Sequence, residues 1–194
     1  MNVLIDLIGS SFIGGILLLL ILKLNLYSQN TSISSDSELR IQQNAKTLAE
    51  IINYDLRKVG YNYNNTAIVT ADSNKIKFYA DMNEPGTSGY GTIDVVEYFL
   101  SSPSKALSTT NPKDVVLTRV LNGTDTLSGP SLGLVKLVFS YFDKGLATTT
   151  NVDSIKFIKT EFWVESLDPI EVNFGTQTGY PFTYWEMTIN PRNI

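Results

Sequence analysis

The chain contains no cysteine and no histidine among its 194 residues. Without cysteine it has no disulfide framework, and without either residue it lacks the usual ligands of a zinc site. The missing imidazole also removes the commonest general base and every Ser-His or Cys-His nucleophile arrangement. Because no other catalytic constellation takes their place, we expect no enzymatic activity, no cofactor and no bound metal ion.

Basic charge is also sparse, with 15 Lys and Arg residues against 19 Asp and Glu residues and a net charge of -4. The basic residues are scattered, and no basic patch alternates with aromatic residues as nucleic-acid binding requires. Hydrophobic residues make up 43% of the chain, so the folded part can bury a core. The length suits one folded domain plus an appendage, and nucleic acid is not an expected partner.

The N-terminal segment, residues 1–27, is a long apolar run with no polar side chain between Ile13 and Leu22. About 20 apolar residues cross a bilayer as a helix. A cleaved signal peptide would need basic residues before the apolar core and a small-x-small cleavage site after it. Neither is present here, because no Lys or Arg precedes the run and the residues after Leu22 fit a cleavage site poorly. We therefore expect a retained transmembrane helix.

Two features of this apolar segment suggest helix–helix assembly in addition to anchoring. Asp6 is costly inside lipid unless it lies near the helix end and reaches the interface, or pairs with a cation from another chain. Small residues at i,i+4 spacing, Ser10 with Gly14 and Ser11 with Gly15, allow helices to approach closely. The candidate assembly residues are therefore Asp6, Gly9, Ser10, Ser11, Gly14 and Gly15.

A second, amphipathic helix is predicted over residues 36–60, after a polar segment at 28–35 that we interpret as a hinge. The sequence from Ser35 to Glu38 fits a capping box with Ser35 as the N-cap. Gly60 is a suitable helix end. The apolar positions recur at spacings of three and four, and are Ile41, Ala45, Leu48, Ile52, Leu56 and Val59. Such a stripe predicts that this stem helix packs on the protein's own sheet.

The remaining residues, 61–194, change to the period-2 alternation and turn-rich connections of a β-rich head. The predicted strands are Thr66–Thr70, Lys75–Ala80, Ile93–Leu100, Val115–Leu121, Leu134–Phe142, Ser154–Glu165 and Thr183–Ile189. The stem stripe needs an apolar partner, and one face of an antiparallel sheet supplies it. The expected fold class is therefore α+β, with a long N-terminal helix packed on a mainly antiparallel β head.

Six segments in this order resemble the type IV pilin and type II secretion pseudopilin superfamily, and are most similar to its PilW-like minor pilins and J-type pseudopilins. They are VLIDL, LAEIINYDLRKVGY, NKIKFYADMNEPGTSGYGTIDVVEYFL, VVLTRVLNG, LVKLVFSYFDKG and the closing MTINPRNI. The resemblance covers nearly the whole chain. It departs from the family pattern at the start, since the acid is Asp6 where the family has a glutamate at mature position five, and no leader ending in glycine precedes it.

This resemblance implies a structural subunit that lies in the bacterial inner membrane as a single-pass protein and then enters an extracellular or periplasm-spanning filament. The implied partners are copies of itself or other pilin-like subunits, together with the pilus or secretion assembly machinery. The acid near the helix start, here Asp6, is implied to meet the N-terminal amine of a neighbour. A leader is either removed before maturation, or this branch matures differently.

One alternative stays open on the sequence, in which the helix only tethers an adhesive or binding head that does not polymerise. Tyrosines in loop-like stretches could serve adhesion, and these are Tyr61, Tyr63, Tyr90 and Tyr180. Electron microscopy of sheared surface material separates the two cases, because a tether yields no polymer. Within the filament interpretation, major and minor or tip subunits are both possible.

Overall fold

A computed structural model describes residues 2–106, 109–128, 131–172 and 177–194, so Met1, with which the predicted apolar helix begins, lies outside the described residues. This part of the chain forms one helix, α1 (Asn2–Arg57), followed by a β-rich head. Two single-turn 3-10 helices span Pro103–Lys105 and Val152–Ser154. The strands are β1 (Ile68–Asp72), β2 (Lys75–Ala80), β3 (Asp94–Leu100), β4 (Leu117–Leu121), β5 (Asp125–Ser128), β6 (Leu134–Phe142), β7 (Phe157–Glu165), β8 (Ile170–Val172), β9 (Gln177–Gly179) and β10 (Phe182–Ile189).

Helix α1 runs without interruption through the segment at 28–35. The prediction that Ser35 caps the start of a second helix is therefore wrong. Extending an existing helix is easier than nucleating a new one, and polar side chains here bond within the helix. The Thr31 hydroxyl donates to the Tyr27 carbonyl at 2.9 Å, and Gln29 Nε2 donates to Asn25 Oδ1 at 3.1 Å. A hinge at 28–35 that becomes extended in another context stays a prediction.

The second half of α1 carries the predicted apolar stripe except for its last member, Val59, which lies in the turn after the helix. All of its members are buried, and they are Ile41, Ala45, Leu48, Ile52, Leu56 and Val59. The helix ends at Arg57, and Gly60 then adopts a φ of 76°, which glycine reaches without strain. The Gly60 amide donates to the Tyr79 carbonyl at 2.9 Å, so the chain passes directly from the helix to the neighbouring sheet.

Two antiparallel sheets and a short hairpin make up the head. The larger sheet has the order β1-β2-β3-β4-β5, the smaller sheet has the order β10-β7-β6, and β8 pairs with β9. The sheets meet where β6 lies beside the β1–β2 turn, and the Phe139 amide donates to the Ser73 carbonyl at 2.8 Å. Helix α1 packs across β10 and β7 of the smaller sheet. The predicted α+β class, with a long helix packed on antiparallel sheet, is confirmed.

A buried ion pair fixes α1 to the larger sheet. Asp55, on the last turn of the helix, is only 4% exposed. Its Oδ2 atom accepts a hydrogen bond from Arg119 Nε at 2.5 Å and another from the Tyr98 hydroxyl at 2.6 Å. Burial, together with the charge of Asp55, raises the pKa of Tyr98, so the phenol keeps its proton and remains a donor. This triad joins the helix to β3 and β4 and sets the position at which the helix leaves the head.

Candidate functional site on the exposed helix

The first half of α1 is an apolar helix on which no other element of the described residues packs. Side chains from Val3 to Ile33 are exposed, and the exposed fraction of the large apolar ones ranges from 44% for Ile16 to 79% for Val3. A soluble monomer rarely shows a continuous apolar surface of this extent. By length and composition the helix can cross a membrane. The same helix therefore has one half that builds the core of the head and one half that requires lipid or protein around it.

Asp6 lies on this exposed half without a basic side chain near it. Within the described residues no ion pair involves Asp6, and the first basic residue along the chain is Lys23. At a rise of about 1.5 Å per residue, the two lie about 25 Å apart along the helix. No lysine or arginine of its own helix can therefore neutralise Asp6 when the surrounding water is removed.

The small residues form a shallow strip beside Asp6. Asp6, Ser10 and Gly14 follow one another at four-residue spacing, which places them on one side of the helix. A methyl group added at Gly14 or Gly15 would meet nothing within 4 Å. The Ser10 hydroxyl donates to the Leu7 carbonyl at 3.0 Å, so it satisfies its hydrogen bond inside the helix. Asp6, Ser10 and Gly14 thus lie on one side of α1, and Ser11 and Gly15 lie further round the helix, on the side away from Asp6.

Lys23 is a residue that the sequence patterns did not single out. It is the only basic residue before Arg40, and it stands between Leu22 and Leu24 on the exposed half of α1. Its isolation within an apolar run is the sequence signal that marks it. An unpaired ammonium group is costly in an apolar environment, as the unpaired carboxylate of Asp6 is, and an anion beside it would lower that cost.

The four tyrosines that could serve adhesion make contacts with other residues of the head. The Tyr63 ring stacks on the Tyr79 ring with centroids 4.8 Å apart, and the Tyr180 hydroxyl donates to the Thr110 carbonyl at 3.2 Å. The hydroxyls of Tyr61 and Tyr90 lie 3.5 Å apart over one loop. These contacts account for the four residues as parts of the loop structure.

A cavity of about 580 Å³ opens between the stem part of α1 and the segment that follows β7. Its walls mix apolar side chains such as Ile41 and Leu167 with the charged groups of Asp36, Arg40 and Asp168. Among the described residues, no three acidic side chains come together in a way that could hold a metal ion.

Comparison with known proteins supports the architecture. No family model and no curated protein sequence matches the chain. Among solved structures, the chain is similar to a type IV-like pilin from Thermus thermophilus, with a TM-score of 0.53 and 10% sequence identity. The match covers 79% of this chain and 97% of that protein. In its long N-terminal helix and its antiparallel β head, the chain has the fold of a type IV-like pilin.

Proposed function

We propose that the chain is a pilin-like structural subunit, held in the bacterial inner membrane by α1 and then assembled through the same helix into a surface filament. The observation that carries this proposal is the division of α1 into an exposed apolar half and a half buried in the head. A tethered binding module needs only a span across the bilayer. A filament subunit needs, in addition, a helix surface that neighbouring helices can approach.

The apolar half of α1 suits both the lipid bilayer and the packed interior of a filament, because both environments are apolar. In lipid the helix satisfies its own backbone hydrogen bonds, so it can leave the bilayer without breaking them. Close packing between copies then replaces the lipid contacts, and small residues let the backbones approach. The strip at Ser10, Ser11, Gly14 and Gly15 is the part of α1 best suited to such an approach. The principal partners are further copies of this chain or other pilin-like subunits.

Asp6 forms an ion pair with a neighbouring subunit during assembly. An unpaired carboxylate in an apolar environment is costly, and the N-terminal ammonium of an adjacent helix lowers that cost while fixing the register between the helices. In the bilayer, Asp6 lies close enough to the helix end to reach the interface. The residue therefore tolerates the membrane and favours the filament.

Asp6→Ala is expected to leave the protein in the membrane and to reduce the yield of filaments roughly tenfold or more, because the pairing partner is lost. Membrane fractionation measures the first quantity, and electron microscopy of sheared surface material measures the second. Asp6→Glu keeps the charge and serves as the matched control, with a smaller loss expected. A normal filament yield from Asp6→Ala would exclude this role.

Gly14→Leu is expected to block close approach of the helices without harming the free subunit. In the free subunit a Cβ atom added at Gly14 meets nothing within 4 Å, and leucine favours the helix over glycine by roughly 0.8 kcal/mol. Gly14→Ala adds only a methyl group and provides a graded comparison. We expect unchanged folding of the head for both variants, measured by tryptophan fluorescence, and a filament yield that falls from wild type through Gly14→Ala to Gly14→Leu. Equal yields from all three proteins would show that this strip is not a contact.

A further inference from the structure

Lys23 has no anionic partner among the described residues of its own chain. Within the described residues no carboxylate lies within 4.0 Å of its ammonium. The nearest acids along α1 are Asp6 and Asp36, which lie about 25 Å and about 20 Å away at the rise of an α-helix. A lysine side chain cannot span either distance. Water solvates the ammonium in the free subunit, but water leaves when apolar helices pack together, and the charge then requires a counter-ion.

The exposed acids of the stem are the candidates for that counter-ion. Asp36 has Arg40 one turn further along the helix, a spacing at which opposite charges attract each other, although no ion pair joins the two among the described residues. Glu38 has no basic residue one turn away on either side, it is exposed, and no ion pair among the described residues includes it. Glu38 is therefore the uncompensated acid that a lysine from another copy would meet with the largest gain.

The charges of α1 also favour some axial offsets between two parallel copies over others, because each offset brings a different set of charges to the same height. When Lys23 of one copy is level with Glu38 of the next, Arg40 falls level with Asp55, and the nearest charges of the same sign, Asp36 and Glu50, are offset by one residue. When Lys23 is level with Asp6 instead, Arg40 falls level with Lys23 and Arg57 falls level with Arg40. Like charges at close range are destabilising. The first stagger places Lys23 beside an acid and brings fewer like charges level than the second.

Resting on the proposed function, we infer that Lys23 of one copy pairs with Glu38 of an adjacent parallel copy in the filament, and that this contact fixes a stagger of about 22 Å between the two helices. The pairing is heterologous, so each subunit offers Lys23 to one neighbour and Glu38 to another, which generates an open helical polymer. In such a polymer each subunit has neighbours at several heights. The contact of Asp6 with a neighbouring N-terminus therefore involves a different pair of copies.

Disulfide cross-linking tests the contact directly, because the chain has no cysteine of its own. The double variant K23C/E38C cannot close a bond within one chain, since its two cysteines lie about 22 Å apart on one helix. Oxidised filaments are expected to give a ladder of linked multimers on non-reducing gels, at least tenfold stronger than that of K23C/D36C. The two variants should differ clearly in cross-linking, because Asp36 and Glu38 point to nearly opposite sides of the helix.

Charge exchange provides the second measurement. K23E and E38K are each expected to lower the filament yield about tenfold, and the reciprocal variant K23E/E38K is expected to return it to within about threefold of wild type. The exposed pair Lys46 and Glu50, 3.7 Å apart on the same helix, can be exchanged as a control with no effect on yield.

The outcomes separate this inference from the proposed function. Abundant K23C/E38C filaments without a ladder, or no recovery in the reciprocal variant, would overturn the pairing while leaving the pilin-like role intact. If K23E instead weakens membrane retention and no ladder forms, the anion is a lipid phosphate and the pairing is likewise overturned. A wild-type chain that forms no filament would overturn the proposed function and the pairing together.

Discussion

Asp55→Ala is expected to lower the free energy of unfolding of the head by about 3–5 kcal/mol, because it leaves a buried guanidinium without its partner. Arg119 and Tyr98 both donate to the same carboxylate oxygen, so both donors lose their acceptor at once. The loss is larger than that of a surface ion pair, since water replaces the missing partner poorly at a buried site. Helix α1 would also lose its direct link to the larger sheet.

The measurement is urea unfolding of the full chain in detergent micelles, followed by the fluorescence of Trp163 and Trp185, which both lie in the smaller sheet. Lys46→Ala is the matched control, because it removes one partner of an exposed pair on the same helix and is expected to change the free energy of unfolding by less than about 1 kcal/mol. Equal effects of Asp55→Ala and Lys46→Ala would show that the buried triad contributes little.

Gly133→Ala is expected to destabilise the head by about 3 kcal/mol or more, whereas Gly123→Ala is expected to cost only about 1–2 kcal/mol. Both glycines have a φ of 75°, so an added methyl group meets the same backbone strain at each position. They differ in their surroundings. A methyl group at Gly133 would lie 2.1 Å from the Glu165 carbonyl oxygen, and at Gly123 it would meet nothing within 4 Å.

The difference arises because Gly133 lies where β6 begins against β7. The Glu165 amide donates to the Gly133 carbonyl at 2.7 Å, so the backbones cannot separate without breaking this bond. Comparing the two variants by urea unfolding isolates the steric contribution from the conformational strain that they share. Equal losses of stability would mean that the backbones of Gly133 and Glu165 can move apart at little cost in free energy.

The stem of α1 could be predicted from the sequence because its burial follows local spacing. Ile41, Ala45 and Leu48 recur with the helical period, and that period alone identifies the buried face. The start of the stem could not be predicted in the same way. A capping box at Ser35 favours a helix start only where no helix already arrives from the preceding residues, and here α1 extends through it.

The short strands show a second limit. β5 is rich in polar residues and offers no apolar alternation, and β8 and β9 are too short to establish a period. They form because a neighbouring strand or a hairpin supplies hydrogen-bonding partners. β2 and β6 have the bounds predicted for them, and the ends of the other predicted strands differ from the observed ends by at most three residues.

Some of the residues that matter for assembly and for the position of α1 could be identified from the sequence, and others could not. Asp6 and the small pairs stand out in the sequence because a carboxylate and glycines are unusual in an apolar helix. The triad of Asp55, Tyr98 and Arg119 does not stand out, because its members are distant in sequence and only the fold brings them together. Lys23 becomes informative once the structure shows that α1 is one continuous helix, which fixes its distance from every acid on that helix.

The most direct test of a filament subunit is immunogold electron microscopy of material sheared from the surface of cells that produce the full chain. We expect filaments labelled along their length, or at their tips if the chain is a minor subunit, and a reduction of roughly tenfold or more in labelled filaments from Asp6→Ala cells. Labelled protein found only in the membrane fraction, with no labelled filament in the sheared material, would contradict it.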